Sequence, residues 1–204
     1  MRLFLIRHGE TESNRLGLTL GRADVPLNEH GRWQAQRLAE ALAAEPLAAI
    51  YSSPLSRTRD TAAAIARQHN LEIQIEPDLT EMDIGETEGL LFADLRARFP
   101  GLLETWASPQ GPTQPMPGGE RLIDVRTRAW QTIQAITSRH PEETACAVTH
   151  NFVILSLLTI ALGIELADFR NLRHSVGAIS ILEFNGERVR LLRLNDTCHM
   201  DSGG

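Results

Sequence analysis

A phosphate monoester is a dianion near neutral pH. Splitting it takes cationic donors for the equatorial oxygens, a nucleophile in line with the scissile bond, and an acid for the leaving oxygen. The sequence holds residues of each type. Neutral imidazole is nucleophilic near pH 7, and a hydrogen bond from one ring nitrogen to a carbonyl fixes the tautomer whose other nitrogen offers a lone pair. His8 is the candidate for this role. Arg7 and Arg57 can hold phosphate oxygens through their guanidinium forks, and Asn14 can donate one more bond. His150 completes the pocket, and first-turn amides of helices starting near Arg57 and His150 would add positive potential. A carboxyl beside phosphate has its pKa raised by like charge, so Glu81 could hold a proton for the leaving group and later take one from water. Glu86 and Glu88 lie close by, and spacing excludes neither as the acid.

These residues are far apart in the chain, so the elements between them must bring them together. Residues 3–6 are a continuous apolar run, the pattern of a central strand, and its end delivers Arg7 and His8. After a loop with Gly17 and Gly21, Asn28 caps a helix expected over about 29–45, whose apolar stripe is Ala35, Leu38, Ala39 and Leu42. Residues 47–51 read as a second strand. Ser52-Ser53-Pro54 reads as an N-cap with Pro at the first helical position, which puts Arg57 in a first turn. A third strand is expected at 71–75, then an acidic loop at 78–89 that carries Glu81, then a short helix near 91–98. The prolines and glycines of 100–119 argue for an irregular excursion.

Leu122, Val125, Ala129, Ile133 and Ile136 mark a long helix, and 144–148 a buried strand ending at His150. An apolar helix follows, and 178–184 and 188–194 read as strands around Asn185-Gly186. This alternation implies an α/β fold, three-layer αβα with a mainly parallel central sheet, which binds ligands beyond the carboxyl ends of its strands. His8, Arg57 and His150 each follow a strand end, so topology alone draws them to one edge of the sheet.

A chain of 204 residues with 42% hydrophobic content suits a single compact domain, here expected to have an irregular covering segment at about 82–119. Acidic residues number 26 against 20 basic, all of them Arg, and the net charge of -6 argues against nucleic acid and anionic membrane as partners. Cys146 and Cys198 show neither CxxC spacing nor a disulfide framework, so a reducing, cytoplasmic setting is expected. The apolar stretch at the N-terminus is too short for a signal peptide. The longest apolar run, 152–164, falls short of the roughly 20 residues that span a bilayer.

LIRHGETESN at 5–14 resembles the signature of the histidine phosphatase superfamily, the group that includes cofactor-dependent phosphoglycerate mutases. GRADVPLNEHGRWQA at 21–35, YSSPLSRTRDTA at 51–62, LTEMDIGETEG at 79–89 and VTHN at 148–151 resemble the family's later blocks in the same order. The resemblance implies a phosphoglycerate mutase-like fold and a phosphohistidine on His8. Arg7, Arg57 and His150 would form the phosphate pocket, with Asn14 in support and Glu81 as proton donor. Gly21 and Arg22, at the head of the second block, join the phosphate contacts. Two departures bear on the substrate: Asn151 and Phe152 follow the second histidine where glycine is common, and Thr87 replaces a common Trp. NDTCHM at 195–200 resembles a tail that folds back towards the site, which makes His199 a further candidate. His30, His69, His140 and His174 match no motif and read as surface or structural.

An Arg-His-Gly triplet alone is common by chance, and the ordered blocks are what give it meaning. A metal hydrolase built on His8, His150, His199 and Glu81 lacks HExxH or paired-carboxylate spacing, so neither a metal nor another cofactor is expected. A dinucleotide fold would need GxGxxG after the first strand. A pseudophosphatase that binds phosphorylated ligands without turnover would usually lose the nucleophile or an arginine. A mutase is the other alternative, and the mutases of the family carry a longer basic insertion before the second histidine. Here 100–118 contains Glu104 as its only charged side chain. The expected activity is hydrolysis of a small phosphorylated metabolite whose remainder is small or fairly apolar, with Arg22, Arg96 or Arg121 in reach of a carboxylate. A homodimer is left open.

Overall fold

The computed structural model describes residues 1–186 and 188–201. Its first strand, β1 (Arg2–Arg7), is buried on both faces, and alternation sends Leu3 and Leu5 into one core cluster and Phe4 and Ile6 into the other. Each such side chain contributes about 1.5–3 kcal/mol on burial. The remaining strands are β2 (Leu47–Ser52), β3 (Ile73–Ile75), β4 (Thr144–Thr149), β5 (Ile179–Asn185) and β6 (Arg188–Asp196). One sheet holds all six in the order β3-β2-β4-β1-β5-β6. The first four are mutually parallel, while β5 and β6 run antiparallel as a hairpin on the edge. The sheet is therefore mainly parallel, as expected.

Helices α1 (Glu12–Leu16), α2 (Glu29–Leu42), α3 (Ser56–His69), α4 (Phe92–Arg98), α5 (Leu102–Ala107), α6 (Leu122–Arg139) and α7 (Asn151–Leu162) connect the strands. One core cluster joins the sheet to apolar residues of α2 and α3, and the other joins it to α6 and α7. That gives the three αβα layers. The apolar stretch after His150 is α7, which buries Val153 to Thr159 without a break.

Several boundaries differ from the sequence reading. The third strand begins at Ile73, not 71. Residues 12–16, read as loop, form α1, because Thr11 and Asn14 make a reciprocal capping box and Gly17 closes the turn at φ 70°. A five-residue helix is too short to show an apolar period. Residues 100–119 are not wholly irregular, since α5 lies between Pro100 and Pro109. Helix α3 starts at Ser56, with Leu55 in the capping position and no side-chain cap bond. Ser53 therefore caps no helix, and its hydroxyl turns into the site described next. The turn expected at Asn185-Gly186 runs into residue 187, outside the described residues.

Candidate active site

The β1 ladder continues past its last residue: the His8 amide donates to Thr149 O at 3.1 Å, just as the Ser53 amide reaches Val148 O at 3.3 Å. The ends of β1, β2 and β4 are thus locked side by side, and His8, Ser53 and His150 share one edge of the sheet. The His8 loop is pressed against α2. A Cβ at Gly9 would stand 2.4 Å from Gly31 O, and the Gly9 amide donates to Thr61 Oγ1.

His8 Nδ1 lies 2.7 Å from Gly9 O. A carbonyl only accepts, so Nδ1 is the protonated nitrogen and Nε2 keeps its lone pair. Burial, followed by the charges of Arg57 and Arg7, holds the His8 pKa well below the usual imidazole range. The same forces act on His150, whose ring centroid is 5.2 Å from that of His8. His150 Nε2 is 2.7 Å from Ser53 Oγ, which is in turn 2.8 Å from Thr58 Oγ1. When the Thr58 hydroxyl donates to Ser53 Oγ, Ser53 in turn donates to His150 Nε2, an arrangement that leaves Nδ1 as the protonated nitrogen.

Arg7 Nη1 donates to Asn151 Oδ1 at 3.1 Å and His174 O at 2.6 Å. Arg57 is fully buried, its Nη1 and Nη2 anchored at 2.7 Å to the Ala23 and Gly21 carbonyls. Burial lowers both guanidinium pKa values, that of Arg7 to about 10, and both stay cationic at neutral pH. Among the described residues, Arg7 Nε, Arg57 Nε and His150 Nδ1 are buried side-chain atoms without a hydrogen-bond partner. Unpartnered buried donors cost about 1–3 kcal/mol each, and three in one cluster fit an oxyanion. Asn14 uses its Oδ1 on Thr11, which leaves its amide nitrogen to face the cavity.

The three carboxylates that spacing left open differ in burial and partners, and Glu81 is the buried one. It is 3% exposed and lines the same cavity as Arg7 and His8. Oε1 accepts from the Met82 amide at 2.8 Å and Oε2 from the Phe152 amide at 3.2 Å. Burial raises its pKa against the pull of those bonds and of Arg57 and Arg7. Glu88 instead accepts from the Gly21 and Ala23 amides, and Glu86 is exposed.

The cavity, about 270 Å³, is otherwise neutral and mainly apolar, with Thr19, Thr87 and Asn151 as further polar lining, and its walls include the loop after α1, α4, α5 and α7. The first-turn amides expected to face phosphate are used differently: Phe152 N bonds Glu81, and Ser56 N bonds Asp24 Oδ1. Gly21 and Arg22 are not among its lining residues. Gly21 backs Arg57, where a Cβ would stand 2.7 Å from Met82 O, and Arg22 pairs with Glu120 at 3.1 Å. His199 also falls short of the cavity. Its Nε2 is 3.0 Å from Gly177 O, and the Gly177 amide bonds Arg7 O and His8 O, so the tail braces the nucleophile loop from behind. Sequence reading overlooked Ser53, whose neighbouring proline imitated a cap, and the backbone role of His174, which has no motif.

His174 gives a test of this burial. Its pKa is lowered to about 3 by burial and Arg7, and those of His8 and His150 are lowered too. In the unfolded chain each titrates near 6.5. Between those values the unfolded chain binds protons that the folded chain does not, so stability falls as pH falls from about 6.5 towards 3, by up to about 1.4 kcal/mol per unit per residue. The raised pKa of Glu81 acts oppositely, so a difference is the clean measurement. Urea unfolding of His174→Gln between pH 7 and 5 should show a slope of stability on pH shallower than wild type by up to that amount. Identical slopes would contradict the depressed pKa.

A family model described as histidine phosphatase superfamily (branch 1) matches residues 3–197. Phosphoserine phosphatase 1 of Hydrogenobacter thermophilus is 33% identical over 200 residues, covering 98% of this chain and 94% of that protein. Among solved structures, Bacillus stearothermophilus YhfR superposes with a TM-score of 0.92 at 31% identity, covering 98% and 99% of the two chains. A mycobacterial glucosyl-3-phosphoglycerate phosphatase in complex with VO3 superposes with a TM-score of 0.88 at 29% identity, covering 96% and 99%.

Proposed function

The chain belongs to the histidine phosphatase superfamily, branch 1, and we infer that it hydrolyses small phosphate monoesters through a phosphohistidine on His8. The observation that carries this reading is the neutral, buried His8 with Nε2 free, next to the unpartnered donors of Arg7, Arg57 and His150. The guanidiniums and the His150 Nδ1–H bind the equatorial oxygens, with the Asn14 amide as a further donor. His8 Nε2 attacks phosphorus while the P–O bond to the alcohol breaks, and Glu81 gives its proton to the departing oxygen. Water then attacks the phosphohistidine, Glu81 takes its proton, and the P–N bond breaks to release inorganic phosphate and neutral His8. Hydrolysis is favoured over mutase chemistry because residues 100–118 offer no cation for a second phosphate.

The arginines supply the positive charge that a metal ion provides in other phosphoryl-transfer enzymes. Glu81 also has both oxygens occupied by backbone amides, and among the described residues no cluster of three His, Cys, Asp or Glu could hold a metal. Hydrolysis should persist in excess EDTA, and vanadate, which mimics trigonal-bipyramidal phosphorus, should inhibit in competition with substrate. Loss of turnover in chelator, restored by an added divalent ion, would return the metal-hydrolase reading. The partner is a small phosphorylated metabolite. No described helix is long and apolar enough to cross a membrane, and a cytoplasmic location remains part of the proposal.

A further inference from the structure

The relatives named above act on different esters, so the alcohol portion has to be read from this chain's own cavity. Resting on the phosphatase reading, the geometry points to a substrate whose alcohol portion is uncharged, apolar and ring-sized, packed against the wall that Phe152 and Trp106 form in the Glu81 chamber. The leaving oxygen must lie beside the acid that protonates it, so the carboxyl of Glu81 marks where the alcohol portion departs. Two spaces open from Arg7. One is the 270 Å³ cavity that also contains His8 and Glu81. The other is an open cleft of about 420 Å³, where Arg173 and Glu10 lie with Arg7, Asn14, Asn151 and His174, and neither His8 nor Glu81 lines it. The cleft has the charges a zwitterion would want, but it lies away from the acid.

Among the described residues that line the chamber, Arg7, His8 and Glu81 are the ionisable ones, and in the proposed mechanism all three are engaged by the phosphoryl group and the leaving oxygen. The rest of the lining is neutral, dominated by Leu18, Leu20, Leu103, Phe92, Trp106 and Phe152. An ammonium or carboxylate on the alcohol portion would be buried there without a partner, which is costly. Nearby arginines cannot supply one. Arg22 is paired with Glu120, and Arg121 with Asp124. Arg170 stacks over Trp106 and Phe169, its guanidinium carbon 5.3 and 4.6 Å from their ring centroids, and Arg96 is exposed on α4 and does not line the chamber.

The aromatic wall is preorganised. Trp106 of α5 meets Phe152 of α7 edge to face at 5.4 Å, and Phe169 stands behind at 5.6 Å from Trp106 and 6.1 Å from Phe152. Such pairs hold ring orientation as well as area. A cavity of roughly 150 Å³ admits benzene, so 270 Å³ has room for a phosphoryl group and one ring. Phe92, 66% exposed, stands at its rim, where a ring leaving the solvent would first meet apolar surface.

Benzyl phosphate and O-phosphoserine test this directly, because both release an alkoxide and make the same demand on the acid. Purified protein should show kcat/KM at least about tenfold higher for benzyl phosphate, within the roughly 10–200-fold range expected of apolar pocket contacts. Phe152→Ala should reduce that ratio by about tenfold. Trp106→Ala, which leaves the α7 backbone that bonds Glu81 untouched, should do the same. A ratio at or below one, or a ratio unmoved in both variants, overturns the inference while leaving the phosphatase reading intact. Failure to hydrolyse any monoester would instead overturn the phosphatase reading.

Discussion

His8→Ala is expected to lower hydrolysis by roughly 10⁴-fold or more, the scale seen when a covalent nucleophile is removed from a preorganised site. Three observations make the effect large. The ring is neutral because burial and two guanidiniums depress its pKa, so no proton has to leave before attack. The bond to Gly9 O fixes the reactive tautomer, and the amide bond to Thr149 O fixes the direction of approach. Alanine abolishes the first two while keeping the third, since the backbone of the strand end is unchanged. The cationic pocket also survives, so His8→Ala should still bind inorganic phosphate and melt at a higher temperature in its presence. Wild type quenched during turnover should carry a phosphoryl group that acid removes and alkali preserves. Residual activity above about one part in a hundred, or labelling that persists in His8→Ala, would show that the nucleophile is another group.

The fold was legible because the strong signals are local. Continuous apolar runs at 3–6 and 144–148 read as strands buried on both faces, and both are. The convergence of His8 and His150 followed from topology, since parallel strands present their carboxyl ends together. What sequence could not supply was the use of backbone groups. The Ser56 and Phe152 amides looked available to phosphate, yet Asp24 and Glu81 lie near enough to take them. The same blindness affected Arg22, whose partner Glu120 is far away in the chain. Glu81 could not be told from Glu86 and Glu88 by spacing, because all three lie in one aperiodic loop and burial alone separates them. His199 was drawn towards the right place by the tail, which stops one layer behind the nucleophile at Gly177.

Glu81→Gln should separate proton donation from binding by its dependence on the leaving group. A p-nitrophenolate departs without help, whereas an alkoxide needs a proton as the P–O bond breaks, so loss of a general acid of roughly 10²–10⁴-fold should appear in kcat/KM for alkyl phosphates and be far smaller in kcat/KM for p-nitrophenyl phosphate. Gln keeps the shape, and its carbonyl oxygen can still accept one of the amides of Met82 and Phe152 that hold the carboxylate, so the loop should remain folded. Dephosphorylation complicates the reading, because the same carboxylate accepts a proton from water. With p-nitrophenyl phosphate the variant should therefore show a burst of nitrophenol followed by slow turnover, as phosphohistidine accumulates. The pH profile gives an independent check. Burial raises the Glu81 pKa, so wild-type activity on alkyl esters should extend to higher pH than an ordinary carboxylic acid would permit, and the falling limb should vanish in Glu81→Gln. Equal losses on both ester types, with no burst, would assign Glu81 to phosphate binding and not to proton transfer.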